Sequence, residues 1–378
     1  MNSKLTLRRR RAVAITTMFA GGLLAGSSSA SSPADQRAAA LDKAIPAGMQ
    51  RASVPGAIVG IWQDGRAPYV KAFGVADTAT GQPMKTDMHM RIGNNSKAFT
   101  VTAMLMLAER GKLRLDDTID RYVPGVPSGD RITLRQLAQM RSGLPNYSDD
   151  TDKEWPYKPF RQWTPQELVA IVFRRPLLFP PGTKFDYCNT NTVLVGLVVE
   201  KVSGQSLPSF IEQNISKPEG LSHTVFPVGS EIPSPYPHGY YKMPDGKVVD
   251  ATNWNYSWGW GAGSMISTLD DMRVWARVLA TGKLLSPAMK AAQQQFLPAP
   301  GEGDGALYGL ALENQNGWIG HNGNTESYMA YPYYLPVERI TMVVLLNSGV
   351  DIPGTWRLMQ AIAPIVRPSH PWTGLPKE

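Results

Sequence analysis

Cysteine is almost missing from this chain: Cys188 is the only one among 378 residues. An intramolecular disulfide and a thiolate metal cluster are both excluded. Histidine is nearly as scarce. The five histidines, at positions 89, 223, 238, 321 and 370, form no H-x-H or H-E-x-x-H pair, so no metal site and no cofactor is expected. A membrane-spanning run is lacking too, since the apolar stretch from Ala12 to Ala25 falls short of the roughly 20 residues a bilayer requires. That stretch follows Lys4 and Arg8 to Arg11 and precedes the small residues Ser27 to Ser32, which is the order of an export signal. Residues 1–30 are therefore expected to be a signal peptide cut after Ala30, giving a secreted or periplasmic product with no stable membrane anchor. Losing its five basic residues takes the formal charge from +7 to +2. No basic run with interleaved aromatics follows, which argues against a nucleic-acid partner.

What remains is an ordinary globular balance, 43% apolar and 18% charged, in one expected domain over residues 35–367 with a short tail at 368–378. Ala34 to Arg51 reads as a helix. Gly56 to Gln63 and Tyr69 to Val75 read as two strands turned at Asp64-Gly65. Lys97 to Arg110 is apolar on nearly every face and stops at Gly111, so it reads as a helix buried in the middle of the protein. Between Asp116 and Gly261 the chain is rich in proline, glycine and aromatics, with helical patterns at Thr133 to Met140, Thr164 to Phe173 and Thr190 to Val202. Strand-like runs return at Trp318 to His321, Ser327 to Tyr334 and Arg339 to Asn347, before a closing helix near Thr355 to Ile365. Strands at both ends with helices between them predict an α+β fold: one antiparallel sheet flanked by helices, with a helical lobe beside it.

Three short stretches carry candidate chemistry. Ile92-Gly93-Asn94-Asn95-Ser96-Lys97 opens the buried helix and places residues 94 and 97 on one face of its first turn. A lysine there is desolvated, which pulls its pKa down toward a proton-accepting role. Tyr187-Cys188-Asn189 follows a Pro-Gly turn at the head of another helix; a phenol beside a lysine can act as a base, and an amide can bond both the lysine and a substrate carbonyl. Gly320-His321-Asn322-Gly323-Asn324 lies on a strand where glycine marks a close approach of backbone or ligand. Nucleophile, S-x-x-K and a K-T-G-type strand are the parts of penicillin-recognising serine enzymes, although here the first motif is N-x-x-K.

Together with Gly111 to Asp117, Arg141-Ser142-Gly143-Leu144 and Ala262-Gly263-Ser264-Met265, these stretches closely resemble the serine β-lactamase-related family. Its members include class C β-lactamases, D-alanyl-D-alanine carboxypeptidases, D-aminopeptidases and β-lactamase-like esterases, and the resemblance runs from about residue 40 to about 365. It implies the β-lactamase/transpeptidase-like fold, with Asn94 standing where the acylated serine belongs. It further implies Lys97 as proton partner, Tyr187 as general base, Asn189 as contact to the lysine and a substrate amide, and His321 in place of the K-T-G lysine. The oxyanion hole would be the backbone N–H groups of Asn94 and Asn324, with Gly323 beside them, and these do not depend on the side chain at 94.

An amide nitrogen is no nucleophile, so covalent acyl transfer is expected to fail in this sequence. Ser96 points away from position 94 on the helix, and Cys188 is read as a packing residue rather than a substitute nucleophile. Asn94 is open to three origins: an introduced change, a natural binder of acyl-D-amino-acid or lactam-like ligands, or different chemistry using Lys97 and Tyr187. Four N-x-S patterns, at Asn94, Asn146, Asn214 and Asn255, are taken as chance. Trp254, Tyr256, Trp258 and Trp260, together with Tyr147, border the cleft by analogy, Trp258 and Tyr147 being candidate substrate contacts, with a core role the competing reading. The expected partner is a small-molecule or peptide substrate (ester, amide or D-amino-acid peptide) bound by a monomer. The rival function is a non-catalytic cell-envelope binding protein for peptidoglycan-peptide or lactam-like ligands.

Overall fold

The computed structural model describes residues 33–373. The expected export segment at 1–30 lies outside them. The first strand, Gly56–Gln63, reads as a continuous apolar run because both its faces are covered: Ala57, Val59 and Ile61 enter one core while Ile58 and Trp62 enter another. It turns at Gly65, whose φ of +75° suits a residue without a Cβ, into the strand Tyr69–Asp77. On its other edge it pairs antiparallel with Ile340–Leu346, from Ala57 opposite Leu346 to Gln63 opposite Ile340. The N-terminal and C-terminal strands therefore share the centre of one ten-stranded sheet in which every pairing is antiparallel. Met329–Leu335, Trp318–Gly320, Glu313–Gln315 and Leu307–Tyr308 continue it in that order, and Gly323–Asn324 also pairs with Met329–Leu335.

One face of the sheet is covered by the helices Pro33–Arg51 and Ile352–Val366, which pack on each other through Leu41, Ile45, Leu358 and Ile362. The other face takes Leu269–Thr281, and behind it the helix Asn95–Glu109. Almost every residue of Asn95–Glu109 is buried, as its all-round apolar character predicts. Phe99 stacks on Trp275 of Leu269–Thr281 with ring centres 3.8 Å apart, tying the two helices together. The lobe helix Asn189–Ser203 packs along Asn95–Glu109, so the two helix starts that carry sequence motifs face one another.

The expected architecture is the one observed, with differences at element ends. Thr133 and Thr164 are caps, each closing a capping box with Gln136 and Glu167, and the helices they start are short, Leu134–Ala138 and Pro165–Ala170. The closing helix begins three residues before Thr355, at Ile352, because Asp351 caps it by accepting from the Gly354 N–H. The stretch after 367, read from the sequence as a tail, is packed as far as Trp372, which is buried against Tyr333 and Trp356. Among the described residues no helix is long and apolar enough to cross a membrane.

Truncating the stacked indole in Trp275→Ala should lower unfolding free energy by about 3–5 kcal/mol, the usual loss for a buried aromatic. Urea unfolding followed by circular dichroism measures it. A loss under about 1 kcal/mol would show that this stack is not a core element.

Candidate active site

The start of Asn95–Glu109 is held by two tight backbone contacts. Gly93 sits at φ +51°, and a Cβ there would lie 2.5 Å from the Asn324 carbonyl oxygen. A Cβ on Gly323 would lie 1.9 Å from the Ile92 carbonyl oxygen. The turn before the helix and the Gly323–Asn324 strand are thus pressed together, and only glycine fits at either crossing. This brings the backbone of residue 94 alongside that of Asn324.

Three side chains of the helix's first turns clamp the Gly261–Met265 segment. Ser96 Oγ accepts from the Met265 N–H at 3.1 Å while donating to the Gly93 carbonyl at 2.8 Å. Lys97 Nζ donates to the Ala262 carbonyl at 2.9 Å, and Thr100 Oγ1 donates to the Gly261 carbonyl at 2.7 Å. Ser96 is the helix-start bonder expected of it. Lys97 also donates to Asn94 Oδ1 at 2.9 Å, and the lysine side chain has no solvent exposure. Burial lowers its pKa to about 7, against partial compensation from Cys188, Glu302 and Glu313.

Tyr187 lies with its ring 4.9 Å from Lys97 Nζ, so the lysine meets the ring face. Its hydroxyl is buried with no hydrogen-bond partner, and burial, followed by Tyr308 and the carboxylates Glu302 and Glu313, drives the phenol pKa well above its ordinary value. Asn189 is placed differently from expectation. Its N–H donates to Asn146 Oδ1 at 3.0 Å and its Nδ2 to Ser148 Oγ at 3.2 Å, leaving a buried Oδ1 without a partner. Asn189 therefore does not bond Lys97, whose hydrogen-bond acceptors are Asn94 and Ala262. Cys188, which caps the same helix, is buried with its Sγ directed at the Leu144 and Pro145 carbonyls, and burial raises the thiol pKa to about 11.

His321 is wholly buried, with Nε2 3.1 Å from the Tyr308 hydroxyl and Nδ1 2.6 Å from the Asn322 carbonyl. Burial and the nearby Lys97 lower its pKa to about 3. Tyr308, Glu313 and Glu302 complete this part of the site and carry no sequence motif. The sole hint is an acid, Glu313, directly after the apolar run Leu310-Ala311-Leu312.

The two aromatic candidates, Tyr147 and Trp258, lie in the core and not on the cleft surface expected of them. Tyr147 is fully buried, its hydroxyl donating to the Trp258 carbonyl at 2.6 Å, and Trp258 is 8% exposed. Trp155 gathers Trp254, Tyr256 and Trp258 edge-on, at 4.8, 5.3 and 5.7 Å, into a block tied to the Gly261–Met265 segment by the Ser264 hydroxyl, which donates to the Tyr256 carbonyl at 2.6 Å. Aromatic packing has used these rings as core. They support the segment that Lys97 bonds and do not present a wall to ligand. A separate cavity of about 730 Å³ lies among Trp62, Arg273, Arg277 and Tyr334, toward the opposite end of the central strands. Among the described residues no group of three or more His, Cys, Asp or Glu side chains could hold a metal ion.

A family described as Beta-lactamase matches residues 41–362. Protein flp of Staphylococcus aureus strain N315 is 25% identical over 319 residues, covering 82% of this chain and 63% of that protein. The chain thus spans a little under two thirds of the length of that relative. A D-stereospecific amidohydrolase from a Streptomyces species superimposes with a TM-score of 0.77 at 27% identity, over 86% of this chain and 97% of that one. The octameric penicillin-binding protein homologue from Pyrococcus abyssi gives a TM-score of 0.75 at 27% identity, over 86% of this chain and 76% of that one.

Cys188 in the native protein should resist a disulfide reagent near neutral pH and react only once urea is added. Prompt reaction without urea would expose it as an accessible thiolate and reopen it as a nucleophile.

Proposed function

The chain belongs to the beta-lactamase family, and from that premise we propose an exported serine-hydrolase-type protein whose cleft receives a D-amino-acid amide, peptide or ester. With Asn94 at the nucleophile position, it holds that ligand without forming an acyl intermediate. The observation that carries the reading is the buried Lys97, its pKa brought down to about 7, with Nζ 2.9 Å from the side-chain oxygen at position 94. A serine hydroxyl on that backbone, one bond shorter than the asparagine oxygen, would meet a neutral amine able to take its proton. Serine Oγ would then attack the substrate carbonyl carbon and take the acyl group as the bond to the leaving amine or alkoxide breaks, with the backbone N–H groups of residues 94 and 324 receiving the oxyanion. Tyr187 and Lys97 together would pass the proton to the leaving group. Asn189, with one amide oxygen unpaired, is available to a substrate N–H.

The likeness to a D-stereospecific amidohydrolase supports a D-configured amide as substrate. Export rests on the Lys4 to Ser32 pattern, and a monomer is the assembly proposed, the octameric relative being the contrary precedent. Asn94 itself favours the second reading, a cell-envelope binding protein using the same cleft.

Restoring the hydroxyl separates the two. Asn94→Ser should hydrolyse a D-amino-acid amide or a simple ester with kcat raised by about 10⁶-fold, the usual loss when such a nucleophile is missing. The unaltered chain should bind the same compound in calorimetry without turning it over. A restored serine that leaves hydrolysis at the background rate, with binding intact, would establish the binding-protein reading.

A further inference from the structure

Four residues lie directly opposite one another across neighbouring strands beside the site. Tyr308 faces Glu313, Glu313 faces Gly320, and Gly320 faces Tyr333. Side chains in such a row project to the same side of the sheet. Gly320 leaves a gap in it: a Cβ there would lie 2.8 Å from the Tyr333 ring and 2.3 Å from the Pro332 carbonyl oxygen. The Tyr333 ring uses that gap and reaches across to donate its hydroxyl to Glu313 Oε2. The N–H and Nδ2 of Asn322 approach the same oxygen at 3.4 Å. The other oxygen, Oε1, is buried without a hydrogen-bond partner and faces His321 Nδ1 at 3.3 Å.

The imidazole can be accounted for atom by atom. Nδ1 is 2.6 Å from the Asn322 carbonyl, which only accepts, so Nδ1 carries a hydrogen. In a neutral ring Nε2 is then an acceptor, filled by the Tyr308 hydroxyl. The other charged or titratable groups around the pair are Lys97 from the buried helix, Glu302 from the loop before Tyr308, Tyr187, Tyr331 and Tyr333. Burial raises the Glu313 carboxyl and lowers the His321 imidazole, which keeps the pair neutral in total.

We propose that Glu313 is a positioning residue: it holds Asn322, whose carbonyl bonds Nδ1 of His321, and backs that nitrogen at 3.3 Å, so that with Tyr308 on Nε2 the ring stays engaged inside the sheet and the site accepts substrates whose leaving end is uncharged and disfavours carboxylate-ended ones. This rests on the reading of the cleft as an acyl-transfer site. A lysine at position 321 would offer a cation to a substrate carboxylate. A histidine bonded on both nitrogens and backed by a buried acid offers none, and a leaving amide or alkoxide needs none.

The test has two parts. In the chain as it stands, ¹⁵N NMR of His321 should show a protonated Nδ1, and Glu313→Gln and Tyr308→Phe should each shift the ring nitrogens while circular dichroism stays native. Nitrogen shifts that ignore both substitutions would overturn the proposal. In the Asn94→Ser background, kcat/KM for a D-amino-acid amide relative to the matching D-dipeptide with a free carboxylate should fall about tenfold on Glu313→Gln, about 1.4 kcal/mol. The change should come mainly through a lower KM for the dipeptide. An unchanged ratio would also overturn the proposal. If the nitrogens shift as expected but Asn94→Ser hydrolyses neither compound, the positioning by Glu313 stands, while the acyl-transfer reading and the selectivity drawn from it fall.

Discussion

A lysine ammonium removed from water is the constraint on which the rest of this molecule is arranged. Lys97 has no exposed surface, and its polar contacts are the Asn94 side chain and the Ala262 carbonyl, with the Tyr187 ring face alongside. Holding it requires a helix buried on all sides, a segment at Gly261–Met265 clamped to that helix, and the aromatic block around Trp155 that supports the segment. Its cost has a definite sign. A lysine whose pKa is about 7 when folded and 10.5 when unfolded binds fewer protons in the native state between those values. That cost to stability is full below the folded value and relieved as pH rises toward the unfolded one. A fold keeps such a penalty where a neutral amine has a use.

The same burial logic explains the strand opposite. His321 and Glu313 are both withdrawn from water, and each is kept there by hydroxyls from the strands beside it, Tyr308 on the ring and Tyr333 on the acid. Gly320 and Gly323 make this possible in different ways. One opens a path for the Tyr333 ring, and the other lets the strand press against Ile92. Lysine on one side and histidine on the other therefore face each other as groups that burial favours in their uncharged forms, which suits a neutral ligand.

Much of this was legible in the sequence, for physical reasons. The strands were visible because covered sheets write continuous apolar runs, and the buried helix because Lys97 to Arg110 has no polar face. The helix-start motifs were visible because residues three apart share a face. Legibility ended where tertiary contact decides. Trp258 and Tyr147 read equally as cleft or core until packing assigned them to the core. Asn189 could have met Lys97 but is drawn instead to Asn146 and to Ser148, the first residue of the helix that follows it. Tyr308 carried no signal and Glu313 only its place after an apolar run, because strand register alone places them beside His321. The helix Leu269–Thr281 was missed, although Thr268 as cap and Gly282 in the left-handed conformation bound it.

The central claim, that the site is organised around a lysine able to be neutral, is tested by titrating that lysine. NMR of the protein labelled in its lysine side chains, with the Lys97 signal identified by its loss in Lys97→Met, gives the midpoint. The account predicts a midpoint of about 7. A midpoint at the ordinary 10.5 would mean that Lys97 remains a cation, and the proposed chemistry would have no base.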